Sequence, residues 1–189
     1  MSDIPVNQFK RRLVEPGVQY GMWISLADPV AAEISAGAGF DWLMIDAEHS
    51  PNDLRTWWGQ LQAVNSYPVS AVIRPPRADA VIIKQYHDLG AQTILVPMID
   101  TAEQAEEMVR AVLYPPQGIR GVASARAARW GRIDDYYRQA KDEMFVLVQV
   151  ETNKGEKNLM DIARVDGLDG VFIGPSDPCP ALSHNRDAT

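Results

Sequence analysis

The chain contains very little cysteine, since Cys179 is the single one among 189 residues. One thiol cannot form an intrachain disulfide, and it cannot build a metal cluster of the Cys-x-x-Cys kind. Structural disulfides belong to oxidising compartments, so their absence favours a reducing one. A secreted scaffold held together by disulfides is thereby excluded.

Long hydrophobic runs are also missing. No apolar run approaches the roughly 18 residues that a transmembrane helix requires. The segment from Met1 to Gln19 is polar and mixed in charge, and it lacks the apolar centre of a secretory signal peptide. We therefore expect a cytoplasmic protein that has no membrane partner.

Positive charge is in deficit, because 18 Lys and Arg residues face 25 Asp and Glu residues, for a net charge of −7. This balance argues against nucleic acid as a partner. The hydrophobic fraction of 46% suits one domain with a buried core. We expect a single barrel domain over residues 1–189, with an N-terminal segment at 1–20 and an atypical tail at 178–189.

Short apolar runs recur along the chain. Each run is continuous rather than alternating, which is typical of strands buried on both faces. The runs are Met22 to Leu26, Trp42 to Ile45, Val69 to Ile73, Thr93 to Ile99, Met144 to Val150 and Gly170 to Ile173.

Polar segments with helical spacing separate these runs. Ser50 is expected to be the N-cap of one helix, with Pro51 at its first position and Asp53 completing a capping box. Thr101 and Gln104 repeat the capping-box pattern. Alternating strands and helices predict parallel βαβ units, which fit either a closed barrel or an open doubly wound sheet.

Dinucleotide-binding and phosphate-loop glycine motifs are absent, which lowers the nucleotide-binding option. A further short strand is expected near Gly121 to Ala123, which would make seven strands by Asp177. A whole barrel needs eight strands and typically about 250 residues. The predicted fold is therefore α/β, a (β/α)8 TIM-barrel type that lacks the eighth strand and helix.

Polar side chains follow four of the predicted strands, at the end where a barrel carries its active site. They supply carboxylates, a histidine and an arginine, the parts of an oxygen-ligand metal site beside an acid–base group and an anion clamp. These segments are Asp46 to His49, Arg74 to Pro76, Gln149 to Thr152 and Gly174 to Asp177.

Several segments together resemble the HpcH/HpaI aldolases, metal-dependent class II pyruvate aldolases related to 4-hydroxy-2-oxoheptanedioate aldolase. The resemblance runs from about Gly21 to Asp177. The segments that carry it are Ala36 to Leu43, Ile45 to Asn52, Val72 to Pro75, Tyr114 to Gly121, Leu147 to Thr152 and Gly170 to Asp177.

The resemblance implies a role for each matching residue. Glu151 and Asp177 would hold a divalent ion (Mg, Mn or Co), Arg74 would stabilise the enolate, and His49 would transfer protons. Asp46 and Asp88 match acids that orient this histidine or its water. Asp88 would do so across a subunit boundary of a hexamer. Positions that line the pocket or contact substrate match Trp23, Gln149, Gly174, Pro175 and Ser176.

The implied function is retro-aldol cleavage of a 4-hydroxy-2-oxo acid to pyruvate and an aldehyde, with a small 2-oxo acid as the partner. Taken alone, each of three residues could have a structural role instead. His49 could cap a helix start, Glu151 could be favoured by a helix dipole, and Asp177 could be a turn former. His87 is expected to be an exposed helix residue. The tail from Pro178 departs from the family pattern, which favours the alternative of a catalytically silent remnant or a metal- and 2-oxo-acid-binding assembly partner.

Overall fold

One parallel sheet organises the protein. The computed structural model describes residues 4–174, so Pro175, Ser176, Asp177 and the tail lie outside it. The sheet has the order β1 to β6, and every neighbouring pair is parallel. All six predicted runs are strands: β1 Gly21–Ile24, β2 Trp42–Asp46, β3 Ser70–Arg74, β4 Thr93–Val96, β5 Phe145–Val150 and β6 Gly170–Ile173.

Helices connect the strands, as the alternating pattern predicts. A 3-10 helix, Arg126–Gly131, lies in the long connection between β4 and β5. The α-helices are α1 Gln8–Arg12, α2 Pro29–Ala36, α3 Leu54–Val64, α4 Ala80–Asp88, α5 Ala102–Val112, α6 Tyr136–Glu143, α7 Asn153–Lys157 and α8 Leu159–Ile162. In the described part of the chain, no helix has the length and apolar character needed to cross a membrane.

The sheet is curled into a partial barrel. Trp23 of β1 and Phe172 of β6 bring their ring centroids within 5.9 Å of each other. Neighbouring strands lie about 4.8 Å apart, so the first and sixth strands of a flat sheet would be about 24 Å apart. The contact therefore decides between the two predicted architectures, and the (β/α) barrel prediction is confirmed.

Apolar side chains fill the inside of the curl. Met44, Val72 and Leu95 form its interior layer, with Phe145 and with Phe9 from α1. The ring of Phe9 packs edge-on against Phe145 at 5.6 Å. Helix α1 thus closes the amino end of the barrel, while two larger apolar clusters fill the space between sheet and helices.

The strand predicted near Gly121 to Ala123 is wrong. Strand β4 pairs directly with β5, and residues 121–125 form no strand. Val122 is 62% exposed, so this short apolar stretch does not have the two buried faces that the other runs have. The described residues therefore contribute six strands rather than seven.

The predicted start of α3 is also wrong. Asp53, rather than Ser50, is the N-cap, and its carboxylate accepts hydrogen bonds from the amides of Arg55 and Thr56. The Ser50 hydroxyl instead donates to the carbonyl of Asp46. The segment after β2 therefore folds back on the strand end before the helix begins. The capping box of Thr101 and Gln104 is confirmed at the start of α5.

Candidate active site at the carboxyl ends of the strands

An ion pair between β2 and β3 forms the centre of the site. Asp46 and Arg74 are the last residues of these strands and are register partners. The guanidinium donates from Nε and Nη2 to the two carboxylate oxygens, both at 2.8 Å. Both side chains are buried, with exposed fractions of 1% and 6%. Such a two-pronged pair fixes the plane of the guanidinium.

Electrostatics keep this pair charged. Burial by itself raises the pKa of Asp46, but the hydrogen bond from Arg74 and the backbone amides of Glu48 and His49 outweigh it, so the pKa is lowered. Burial likewise lowers the pKa of Arg74, yet the bond to Asp46 and the nearby carboxylates raise it overall. Asp46 therefore acts as the anchor of Arg74, with both of its oxygens engaged.

The remaining face of Arg74 looks toward β5 and β1. Its Nη1 donates to Oε1 of Gln149 at 3.4 Å. The carboxylate of Glu48 lies 3.3 Å from its Nε, and the ring centroid of Trp23 lies 6.0 Å from its Cζ. The guanidinium is thus flanked by an amide, a carboxylate and an indole.

Glu151, which directly follows β5, stands next to this group. Its Oε1 accepts a hydrogen bond from Nε2 of Gln149, and its Oε2 accepts one from the backbone amide of Met98 at 3.3 Å. Met98 has a positive φ of 58°, an uncommon backbone conformation that is often held at functional sites. The carboxylate is therefore held in one orientation by two separate strand ends.

Gly174 lies against the same carboxylate. A Cβ placed on it would lie 3.1 Å from Nε2 of Gln149 and 3.7 Å from Oε1 of Glu151. A side chain here would crowd the amide of Gln149 and touch Glu151, so the glycine leaves room in this corner of the site. Pro175, Ser176 and Asp177, which follow it in the chain, lie outside the described residues, and their roles stay predictions.

His49 sits at the rim. Its side chain is 65% exposed, and Nε2 lies 3.7 Å from Oε2 of Glu48. Among the described residues, its ring makes no hydrogen bond to Asp46, whose oxygens are taken up by Arg74 and backbone amides. Glu48, to which sequence reasoning assigned no role, has a carboxylate that lies close to both His49, at 3.7 Å, and Arg74, at 3.3 Å. Its place between Asp46 and His49 in the same strand-end segment was the available signal.

Asp88 is placed elsewhere. It is the last residue of α4, and its carboxylate accepts a hydrogen bond from Nη2 of Arg120 at 3.0 Å within the same chain. Its predicted action across a subunit boundary, and the hexamer itself, stay predictions.

The prediction for His87, next to it, is wrong. The imidazole is fully buried, and its Nδ1 lies 2.9 Å from the carbonyl oxygen of Ala91.

The donor set suits a hard divalent cation in part. Among residues 4–174, Asp46, Glu48 and Glu151 surround one cation, Arg74, which leaves two negative charges in excess around these strand ends. Carboxylate and amide oxygens are the ligands that Mg²⁺ and Mn²⁺ prefer. Within residues 4–174, however, no three acidic, histidine or cysteine side chains converge as a complete metal site. Glu151 is thus the predicted metal ligand that the structure describes. Its predicted partner, Asp177, lies outside the described residues.

Comparison with known proteins decides the family. Residues 19–189 match the family described as HpcH/HpaI aldolase/citrate lyase. The chain belongs to this family. A hydroxypyruvate/pyruvate aldolase from Deinococcus radiodurans is 58% identical over 94% of this chain and 65% of its own length. A 4-hydroxy-2-oxo-heptane-1,7-dioate aldolase from Escherichia coli is 54% identical over 90% of this chain and 66% of its own.

A solved structure supports the same assignment. The HpcH/HpaI aldolase/citrate lyase family protein from Burkholderia cenocepacia superposes with a TM-score of 0.90 and 40% identity. The match covers 95% of this chain and 73% of that one. The chain spans about two thirds of the length of the curated relatives it matches.

Proposed function

We propose that the protein is a carbon–carbon lyase that cleaves a 4-hydroxy-2-oxo acid into pyruvate and an aldehyde, with the help of a divalent metal ion. The single observation that carries the proposal is the buried Arg74, locked in place by Asp46 and aimed at Gln149 and Glu151. The names of the relatives, which are aldolases for hydroxypyruvate, pyruvate and 4-hydroxy-2-oxo acids, support the substrate class.

The reaction breaks the bond between C3 and C4 of the substrate. The 4-hydroxyl loses its proton and becomes the aldehyde, and the electron pair of the broken bond becomes the enolate of pyruvate. The guanidinium of Arg74 stays charged at any working pH, so its hydrogen-bond donors stabilise the negative charge where it develops. The enolate then takes a proton at C3 to give pyruvate.

His49 is the candidate acceptor for the 4-hydroxyl proton. Its exposed ring stands at the rim of the site, where an incoming hydroxyl can reach it, and Glu48 lies beside it. A divalent ion held by Glu151 and Asp177 would supply Lewis acidity toward the 2-oxo group. Trp23 and Gly174 would shape the wall around the 2-oxo acid, with Gln149 holding Glu151.

A lysine Schiff base would be the other route to an enolate equivalent. In the part of the chain that the structure describes, all lysines lie on helices rather than at strand ends. They are Lys10, Lys84, Lys141, Lys154 and Lys157. This placement favours the metal route.

The test is pyruvate release, coupled to lactate dehydrogenase, from 4-hydroxy-2-oxo acids and from oxaloacetate. The assays are run with Mg²⁺, Mn²⁺ or Co²⁺ and with a chelator. We expect release that the chelator abolishes and added metal restores. Folded protein that binds Mn²⁺ and releases no pyruvate would contradict the proposal and favour the silent-remnant alternative.

A further inference from the structure

A cavity lies at the amino ends of the strands, at the opposite end of the sheet from the candidate active site. It is about 290 Å³ in volume and is lined by the start of β3 at Ser70, the residue before β4 at Gln92, and the N-terminal segment from Pro5 to Gln8. Arg74 stands at the other end of β3, about 13 Å away along the strand. The volume is near the lower end of the range for small-molecule sites.

The lining of this cavity is positively charged. Arg126 and Arg129 contribute to it, and the lining residues that the structure describes include no aspartate or glutamate. Within residues 4–174, neither arginine forms an ion pair with a carboxylate. In a protein with a net charge of −7, a described lining that holds two cations and no acid is a local reversal of charge.

Arg126 is held at the cavity wall. Its Nη1 donates to the carbonyl of Leu89 at 2.5 Å, and a Cβ placed on Gly90 would lie 2.6 Å from that nitrogen. Gly90, which also has a positive φ of 105°, therefore makes room for the guanidinium. Burial, and then the charge of Arg129, lower the pKa of Arg126. Arg129 itself is exposed, and a bound anion would offset the repulsion between the two guanidinium charges.

The backbone around Arg129 is strained. Arg129 and Trp130 have positive φ angles of 50° and 53°, a conformation that side chains other than glycine rarely adopt. Consecutive residues in this region persist where the surrounding structure imposes them, and such strain clusters at ligand sites. The amide side chains of Asn65 and Gln92 and the hydroxyl of Ser70 add neutral polar groups to the same lining.

We propose that this cavity binds a phosphate dianion, either free phosphate or the phosphate group of a small metabolite, between Arg126 and Arg129. Two guanidinium groups match the two negative charges of phosphate near neutral pH, and their planar donors fit its oxygens. The site is separate from the candidate active site and does not depend on the proposed function.

The test is a calorimetric titration of the full chain with inorganic phosphate, against sodium chloride at the same ionic strength. Glycerol 3-phosphate in a second titration separates a phosphorylated metabolite from free phosphate, and succinate in a third tests a dicarboxylate. We expect saturable binding of one phosphate per chain. Binding that does not saturate, or that succinate matches, would overturn the proposal.

Variants locate the bound anion. Arg129→Gln removes one charge at an exposed position and should weaken phosphate binding by about tenfold or more. Arg138→Gln, an exposed arginine on α6 outside this lining, is the matched control and should bind as the parent does. Equal loss in both variants would show a diffuse charge effect. Retention in Arg129→Gln together with loss in Arg74→Lys would place the anion at the active site instead, and either result would overturn the proposal.

Discussion

The two ends of the partial barrel have opposite characters, although the same strands build both. At the amino end, Phe9 closes the interior by packing against Trp42 and Phe145. At the carboxyl end, Arg74 and Asp46 form a buried ion pair beside polar groups that include Glu151. Residues that stabilise the fold and residues that carry the chemistry therefore lie at different ends of the strands, as is general for barrels of this type.

The largest expected effect on stability comes from the amino end. Phe9→Ala should lower the free energy of unfolding by about 3–5 kcal/mol, because it removes a buried ring and leaves a cavity among aromatic neighbours. Urea denaturation followed by circular dichroism measures this. Val14→Ala, at a neighbouring position that is 87% exposed, is the control and should change little. A stable Phe9→Ala variant would show that α1 is not the closure of the barrel.

The largest expected effect on chemistry comes from the carboxyl end. Arg74→Ala should reduce the kcat/KM of pyruvate release by roughly 10²–10³, because it removes the charged donors at the developing enolate. Arg77→Ala is the matched control, since Arg77 is 70% exposed and pairs only with nearby Asp79 among the described residues. A parent-like rate in folded Arg74→Ala would contradict the proposed role of Arg74 in stabilising the enolate. The carboxyl end would then no longer be distinguished from the amino end by its chemistry.

His87, on helix α4, should make the free energy of unfolding depend on pH. Burial, and then the charge of Arg120, lower the pKa of His87 to about 3 from an ordinary value of 6.5. The unfolded chain therefore binds the proton more readily than the folded one between these values. Stability from this residue is present above pH 6.5 and falls by about 1.4 kcal/mol per pH unit as the pH drops below it.

His87→Asn isolates this contribution. Asparagine keeps a short hydrogen-bond donor for the carbonyl of Ala91 and removes the titrating ring. Free energies of unfolding measured from pH 7 to pH 4.5 should fall less steeply for the variant than for the parent. Parallel profiles would mean that the imidazole is already accessible to protons in the folded state.

The strands were predictable because each is a continuous apolar run, as burial on both faces demands. The clustering of Asp46, Arg74 and Glu151 was predictable too, since parallel strands bring their carboxyl ends together. The pairing of Asp46 with Arg74 could not be predicted, because it depends on the register between β2 and β3. The burial of His87 was not predicted either, although Ile83, one turn earlier on the same face of α4, is also fully buried.

The smallest expected effect is on the melting temperature, and it compares the N-cap of α3 with the segment that follows β2. Asp53→Ala should lower the melting temperature by roughly 2–4 °C, because it removes the acceptor for two amides at the start of α3. Ser50→Ala should lower it less, because the Asp46 carbonyl that Ser50 contacts also accepts from Nδ2 of Asn52. Thermal denaturation of both variants ranks them. A larger loss in Ser50→Ala would contradict this ranking and show that the fold-back of the segment onto the end of β2 stabilises the protein more than the cap of α3 does.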